Sequence, residues 1–335
     1  MSATTQLFGR ECLIFLASSA ACAAAGPSFV RWLRGARWLQ PERHEDCPSL
    51  QKTQTGKSGT PTMGGLLVLG VAVAVAAFSG GFSSRSGWMI FAAVAGFGAL
   101  GWVDDLLKFR GPNGRGLRTW PKLVASFGLG IVLAWGLYAC ADRPGYVDLP
   151  WNERGMSVGT AWIPFAALVM VGASHAVNLT DGMDGLAAGC LVVTLSAFLL
   201  GGFGGFAAFR GSPAAVWAAA LAGACAGFLW INSYPASVFL GDVGAIGLGA
   251  GLGALSLAAE APLWLLLLGG IFVAEALSVM AQVASFKWFG RRIFRVAPLH
   301  HHFQVGGIPE SKLIVRFWLA NLALVLAGLA LKEMR

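Results

Sequence analysis

The sequence predicts an all-α, polytopic integral membrane protein with about ten transmembrane helices, and three observations carry that prediction. Hydrophobic residues make up 56% of the 335 residues and charged residues only 12%, about half of the roughly 25% usual in water-soluble domains. The apolar residues fall in runs that approach the ~20 residues needed to cross about 30 Å of hydrocarbon. The charges gather between those runs. A membrane β-barrel would instead show alternating segments of about ten residues, a pattern this chain lacks.

In chain order the apolar runs place helices over residues 12–31, 63–79, 88–103, 121–139, 159–177, 185–204, 214–231, 243–259, 262–284 and 313–331. The first run lacks a strongly basic leading region and a clear cleavage site, so it is expected to be retained as a helix. Basic residues orient the set. Arg31, Arg34, Arg37, Arg43, Lys52 and Lys57 follow the first helix; Lys108, Arg110, Arg115, Arg118 and Lys122 follow the third; Lys287, Arg291, Arg292, Arg295 and Lys312 follow the ninth. The opposite face holds Arg10, Arg85, Arg143, Arg154, Arg210, Lys332 and Arg335, with Arg316 inside the tenth helix. Cytoplasmic loops are enriched in Lys and Arg, so the connections 31–62, 104–120, 178–184, 232–242 and 285–312 are expected in the cytoplasm. Both termini are then periplasmic. No repeat, low-complexity tract or long linker divides the chain, so residues 1–335 are expected to form one integral domain with its site on cytoplasmic loops and helix ends.

Composition also excludes some functions. The net charge of +8 is spread over loops rather than concentrated on a soluble domain, which argues against nucleic acid as a partner. The six cysteines (12, 22, 47, 140, 190 and 225) form no CxxC pair and mostly lie in apolar runs. They read as small packing residues, not as a disulfide framework or a zinc site.

Five aspartates, Asp104, Asp105, Asp181, Asp184 and Asp242, stand where apolar runs meet polar connections, all on the expected cytoplasmic side. A carboxylate at a bilayer boundary is costly to dehydrate, so it usually has a partner or a task. Lys57-Ser-Gly-Thr-Pro-Thr-Met-Gly-Gly65 opens the second helix; Thr60 as cap and Pro61 at the first helical position account for Thr-Pro. Lys57 beside a helix N-terminus suits an anion such as phosphate. Asp104-Asp-Leu-Leu-Lys108 ends the third helix, where two carboxylates oppose the macrodipole at a cost of up to ~1 kcal/mol each. Lys108, four residues after Asp104, relieves part of that cost. Such a pair suits a base or a metal site, although a solvated loop could also carry it.

In Asn178-Leu-Thr-Asp-Gly-Met-Asp-Gly185, Asp181 and Asp184 are spaced to share a face. Either could cap the sixth helix, and the glycines let backbone approach a ligand. Asn232-Ser-Tyr-Pro-Ala-Ser-Val-Phe-Leu-Gly-Asp242 precedes the eighth helix, which Asp242 could cap. The positive ends of helices two, six and eight face one pocket, an arrangement suited to phosphate-bound Mg2+, which takes one or two protein carboxylates. Phe239 offers a flat face for a base. Arg291-Arg-Ile-Phe-Arg-Val-Ala-Pro-Leu-His-His-His-Phe303 suits a polyanionic ligand or anionic lipid headgroups. Three consecutive histidines point different ways and do not make a zinc site by themselves. Glu275 is expected to be paired inside the bundle; His44 and His175 read as structural or solvated.

Taken together and in this order, KSGTPTMGG, DDLLK, NLTDGMDGLA, NSYPASVFLGD and RIFRVAPLHHHF closely resemble the bacterial phospho-N-acetylmuramoyl-pentapeptide transferases, a branch of the polyprenyl-phosphate N-acetylhexosamine-1-phosphate transferases. The resemblance spans roughly residues 30 to 330. It implies transfer from UDP-N-acetylmuramoyl-pentapeptide to undecaprenyl phosphate, with Mg2+, at the cytoplasmic face of the bacterial inner membrane. Lipid I and UMP would be the products, in peptidoglycan synthesis, and the enzyme would be a homodimer. Carried onto matching positions, Asp242 is the metal ligand, Asp104 the candidate base and Asp105 its support, with His300 in the catalytic set. Asp181, Asp184, Asn232 and Phe239 resemble nucleoside-binding positions. Lys57, Thr62, Lys108, Lys122, Asn178, Gln282, His301 and His302 complete the substrate-binding set. The chain departs from the pattern in three places: Ser49-Leu-Gln-Lys-Thr-Gln-Thr-Gly-Lys57 lacks a histidine that many relatives carry, His175 stands where asparagine is common, and Ala245 where serine is common.

Two mechanisms fit these parts: direct in-line attack by the lipid phosphate, which we favour, and a two-step route through an aspartyl intermediate. A sister transferase using a UDP-N-acetylhexosamine is the nearest alternative activity. A transporter would place its polar residues near the bilayer midplane, whereas here they cluster at one boundary.

Overall fold

The computed structural model describes residues 3–39, 57, 59–110, 116–201, 209 and 211–334. Ser49–Gly56 and His44, singled out in the sequence, lie outside the described residues. The described helices are α1 (Ala3–Gly35), α2 (Gly65–Phe78), α3 (Arg85–Arg110), α4 (Thr119–Cys140), α5 (Trp162–Thr180), α6 (Leu186–Gly201), α7 (Pro213–Asn232), α8 (Gly241–Ala258), α9 (Leu265–Leu268), α10 (Gly270–Phe289), α11 (Leu299–Val305) and α12 (Glu310–Glu333). A small antiparallel hairpin, β1 (Tyr146–Leu149) and β2 (Asn152–Ser157), joins α4 to α5.

Eight helices, α1, α3, α4, α5, α7, α8, α10 and α12, are long and apolar enough to cross a membrane. Two shorter apolar helices, α2 and α6, answer to the second and sixth expected segments. The chain is thus an all-α, multi-pass membrane protein, as its composition requires.

α7 and α8 form the centre. From Val243 to Leu257 every residue of α8 is buried, and its glycines and alanines explain how. Within a membrane, small residues let helix backbones approach closely and gain dispersion contacts. A Cβ on Gly101 of α3 would overlap the Asp242 carbonyl, and one on Gly65 of α2 would overlap the backbone of Gly244. Those two contacts seat the starts of α2 and α8 against each other and against the C-terminal half of α3.

Four local expectations differ from the structure. α3 does not stop at residue 103 but continues to Arg110, so Asp104 and Asp105 lie inside the helix; the neighbouring lysines described below offset the charge that would fray it. α2 begins at Gly65 behind a Gly64 cap that lacks a side-chain bond. Thr60 and Pro61 therefore do not cap it: Pro61 pairs with Leu39, and its carbonyl accepts the Phe239 N–H at 2.8 Å. The expected helix 262–284 is divided into a 3-10 turn at Pro262–Trp264, α9, and α10 after Gly269. At that break the Thr194 hydroxyl donates to the Leu268 carbonyl at 2.9 Å. Finally, α8 is capped at Leu240 rather than by Asp242, which is its second residue.

Candidate active site

The site is built first from α3, α4 and the start of α8. Asp104, Asp105 and Lys108 share one side of α3 because they are three and four residues apart. Lys108 Nζ lies 2.8 Å from Asp104 Oδ2, 3.1 Å from Asp105 Oδ1 and 2.8 Å from Asp242 Oδ1. Lys122, in the first turn of α4, reaches Asp242 Oδ2 at 2.6 Å and Asp104 Oδ1 at 3.6 Å. Backbone donors complete the shell: Leu117 N–H to Asp104 Oδ1 at 2.8 Å and Val243 N–H to Asp105 Oδ2 at 3.1 Å. Asp242 sits in the first turn of α8, where the helix dipole favours a negative charge.

Three carboxylates face two ammonium groups, which leaves one net negative charge in a largely buried setting. Asp104, Asp105 and Asp242 each offer an oxygen, and these oxygens lie within 4.8 Å of one another. An all-carboxylate donor set suits a hard cation of the magnesium kind and not a thiolate- or imidazole-seeking metal. The residues present fit such an ion, whose arrival would compete with Lys108 for all three acids.

A second cluster lies beside the first. Lys57 Nζ is 2.7 Å from Asp184 Oδ1 and 2.6 Å from Glu310 Oε1. Burial alone would lower its pKa, but the Glu310 and Asp184 carboxylates outweigh that and hold it above the ordinary lysine value. Asp184 Oδ2 accepts the Ala236 N–H at 3.0 Å. The Lys57 ammonium is 6.0 Å from the centroid of Phe239. The buried Asn232 donates through Nδ2 to the Val238 carbonyl at 2.9 Å, while its Oδ1 is buried without a hydrogen-bond partner among the described residues. Thr62 is buried beside the first cluster: a Cβ on Gly241, whose φ is +76°, would stand 3.0 Å from Thr62 Oγ1 and 2.9 Å from Asp105 Oδ2. Glycine alone suits that position.

Contrary to the expectation that the three histidines point different ways, the ring centroids of His300 and His301 lie 4.2 Å apart and both rings approach Gly182; His302 alone turns away, toward Phe294. His300 is fully buried, with Nδ1 3.2 Å from Glu275 Oε2 and its backbone N–H donating to Glu275 Oε1 at 3.1 Å. A Cβ on Gly182 would overlap His300 Nε2, so this glycine lets the aspartate loop rest on the histidine helix. His301 Nδ1 is 3.1 Å from Gln304 Oε1. His302 Nδ1 accepts the Arg295 N–H at 3.1 Å.

Most sequence-derived candidates therefore converge, but not all on one point. Asp181 caps the C-terminus of α5, and its N–H donates to the Asn178 carbonyl at 3.2 Å. α5 ends at Thr180 and α6 begins at Leu186, so Asp181 and Asp184 lie in the turn between them and not on one helical face. Gln282 spends its amide on Ile293 N–H, Phe294 N–H and the Phe294 carbonyl, so it braces the arginine loop. Sequence reasoning missed Glu310 and gave Glu275 no role. An acidic residue just after Pro309 at a helix start is a weak signal, and nothing local indicates that it meets Lys57.

The glycosyl transferase family 4 description matches residues 87–260, and a phospho-N-acetylmuramoyl-pentapeptide-transferase signature matches residues 57–69. Curated phospho-N-acetylmuramoyl-pentapeptide-transferases are similar along almost the whole chain. That of Dichelobacter nodosus is 40% identical over 100% of this chain and 96% of its own length. That of Heliobacterium modesticaldum is 41% identical over 95% of this chain and 96% of its own. That of Desulfovibrio desulfuricans is 40% identical over 92% and 89%. With carboxylates, lysines and histidines gathered at helix ends and this similarity spanning the chain, the protein belongs to the phospho-N-acetylmuramoyl-pentapeptide-transferase family, and it is a multi-pass membrane transferase.

Proposed function

We propose that the chain transfers phospho-N-acetylmuramoyl-pentapeptide from its UDP carrier to undecaprenyl phosphate, forming lipid I and UMP at the cytoplasmic face of the inner membrane. The observation that carries this is the Asp104–Asp105–Asp242 cluster, crossed by Lys108 and Lys122, where the starts of α4 and α8 meet the last turns of α3. Phosphoryl transfer requires mainly positioning and neutralisation of charge. Asp242, with Asp105 behind it, would hold Mg2+, which supplies neutralisation of the diphosphate when bound. Lys122 and Lys108 place further positive charge beside the same acids. Asp104 orients or deprotonates the acceptor phosphate; that phosphate is already largely anionic near neutral pH, so alignment is its larger contribution.

The nucleoside belongs on the neighbouring cluster. Phe239 would present a ring face to the base, and Asn232 Oδ1 is buried without a hydrogen-bond partner among the described residues. Such an orphan acceptor is costly, and a uracil N–H would satisfy it. His301 and His302 would line the loop side of the donor, with the buried His300 supporting the Gly182 turn from behind. The enzyme is proposed to work as a homodimer.

The test is direct. Purified protein with UDP-N-acetylmuramoyl-pentapeptide, undecaprenyl phosphate and Mg2+ should release UMP and form a lipid-linked product. UDP-N-acetylglucosamine in place of the peptide-bearing donor should yield neither. Turnover with that sugar alone would replace this assignment with the sister activity.

A further inference from the structure

We propose that Glu310 is a positioning residue of the transferase site, one carboxylate that binds both the Lys57 ammonium and the Asp184 loop and so ties the nucleotide-facing loops into one platform. The proposal rests on the transferase assignment above. Glu310 opens α12, and its side chain is 7% exposed. Its Oε1 takes the Lys57 ammonium at 2.6 Å and the Asp184 backbone N–H at 3.1 Å. Lys57 in turn holds Asp184 Oδ1, and Asp184 Oδ2 holds the Ala236 N–H. Segments near residues 57, 184 and 236 are thereby joined by a side chain from a fourth segment. Asp184 and Glu310 are both largely buried and share the Lys57 ammonium as their common ion-pair partner.

The other oxygen of Glu310 extends the arrangement to the histidines. Gln304 Nε2 donates to Glu310 Oε2 at 3.4 Å. With Gln304 Nε2 facing Glu310, the Gln304 oxygen is turned toward His301. His301 Nδ1, 3.1 Å from that oxygen, then carries the proton. Glu310 thus fixes the place of Lys57, the Asp184 loop and the His301 tautomer together.

Glu310→Gln keeps the size and an acceptor for Asp184 N–H but removes the charge that holds Lys57. It is expected to raise KM for the UDP-sugar about five- to tenfold while changing kcat less than about threefold. The Kd for UMP, measured by calorimetry on the full chain, should rise in parallel. Glu310→Asp, which keeps the charge on a shorter stem, should recover part of that loss. In a Lys57→Met background Glu310→Gln should add little, because the two residues act as a unit. Unchanged KM and Kd, a fall in KM, full additivity with Lys57→Met, or no difference between the Gln and Asp variants would each overturn the proposal. Hydrogen exchange separates it from the transferase assignment. The 181–186 backbone should exchange faster in Glu310→Gln without any substrate. Unaltered exchange removes the positioning role, whereas faster exchange in a protein whose wild type releases no UMP removes only the assigned chemistry.

Discussion

At the scale of single residues, the site is defined by charges that could not stay buried alone. Asp104 and Asp105 are 2% and 3% exposed, and each is matched by an ammonium and a backbone N–H. Removing either lysine would leave the acids short of positive charge, whereas removing one acid leaves two carboxylates facing two ammonium groups. Asp242→Asn takes away the carboxylate shared by Lys108 and Lys122, and with it the proposed metal ligand. Metal-assisted charge stabilisation contributes several kcal/mol, so turnover should fall at least about a hundredfold, while the protein stays monodisperse in detergent. Near-normal Mg2+-dependent UMP release from that variant would remove the assignment of Asp242. Lys57 gives a pH prediction with a definite sign. Its folded-state pKa is raised, so its stabilisation is fully present below the ordinary lysine value of about 10.4 and is lost as pH rises through the folded value. The difference in thermal midpoint between wild type and Lys57→Met should therefore stay constant from neutral pH to about pH 10 and shrink above it. A difference that vanishes near pH 7 would contradict the ion pairs with Glu310 and Asp184. The carboxylates and Lys57 were legible in the sequence because charge is rare in this chain. Glu310 was not, because its partners lie far away in sequence and no spacing rule reaches across them.

At the scale of helices, close packing does the positioning. α3 meets α8 at Gly101, against the Asp242 carbonyl, and α2 meets α8 at Gly65, against Gly244. A methyl group at either place must push α8 away, and overpacking of this kind costs about 1–3 kcal/mol. Gly101→Ala is expected to lower the thermal inactivation midpoint and to reduce Mg2+-dependent turnover, because the displaced backbone carries Asp242 with it. Gly70→Ala, where a Cβ meets nothing within 4 Å, should leave both unchanged. Equal behaviour of the two variants would show that α3 and α8 do not set the carboxylate geometry. Hydropathy located the helices, since each needs an apolar run to lie in lipid. It did not locate their ends. α3 continues past the apolar boundary because Lys108 and Lys122 neutralise its acids, a compensation that only the fold assembles. The break at Gly269 was missed for the converse reason: the run is apolar throughout, and the interruption is stabilised by Thr194 from another helix.

At the scale of the whole molecule, the distribution of charge defines two unlike faces. Lys57, Lys108, Lys122 and Arg295 cluster with the aspartates and histidines at one end of the bundle. The opposite end carries the β1–β2 hairpin, where Arg143 pairs with Glu260 and stacks 4.0 Å over the Tyr146 ring. Translocated loops are poor in Lys and Arg, so the aspartate end should face the cytoplasm. A nucleotide-linked donor, made in the cytoplasm, requires the same orientation, so one experiment tests both. Ser237, exposed on the loop before α8, and Trp151, 72% exposed on the hairpin, report on the two faces. In a background with the six native cysteines replaced, Ser237→Cys should resist a membrane-impermeant maleimide in intact spheroplasts and react in inverted vesicles. Trp151→Cys should do the reverse. Modification of Ser237→Cys in spheroplasts would put the carboxylates outside, away from any nucleotide, and the transferase assignment would then lack a donor on its own side of the membrane.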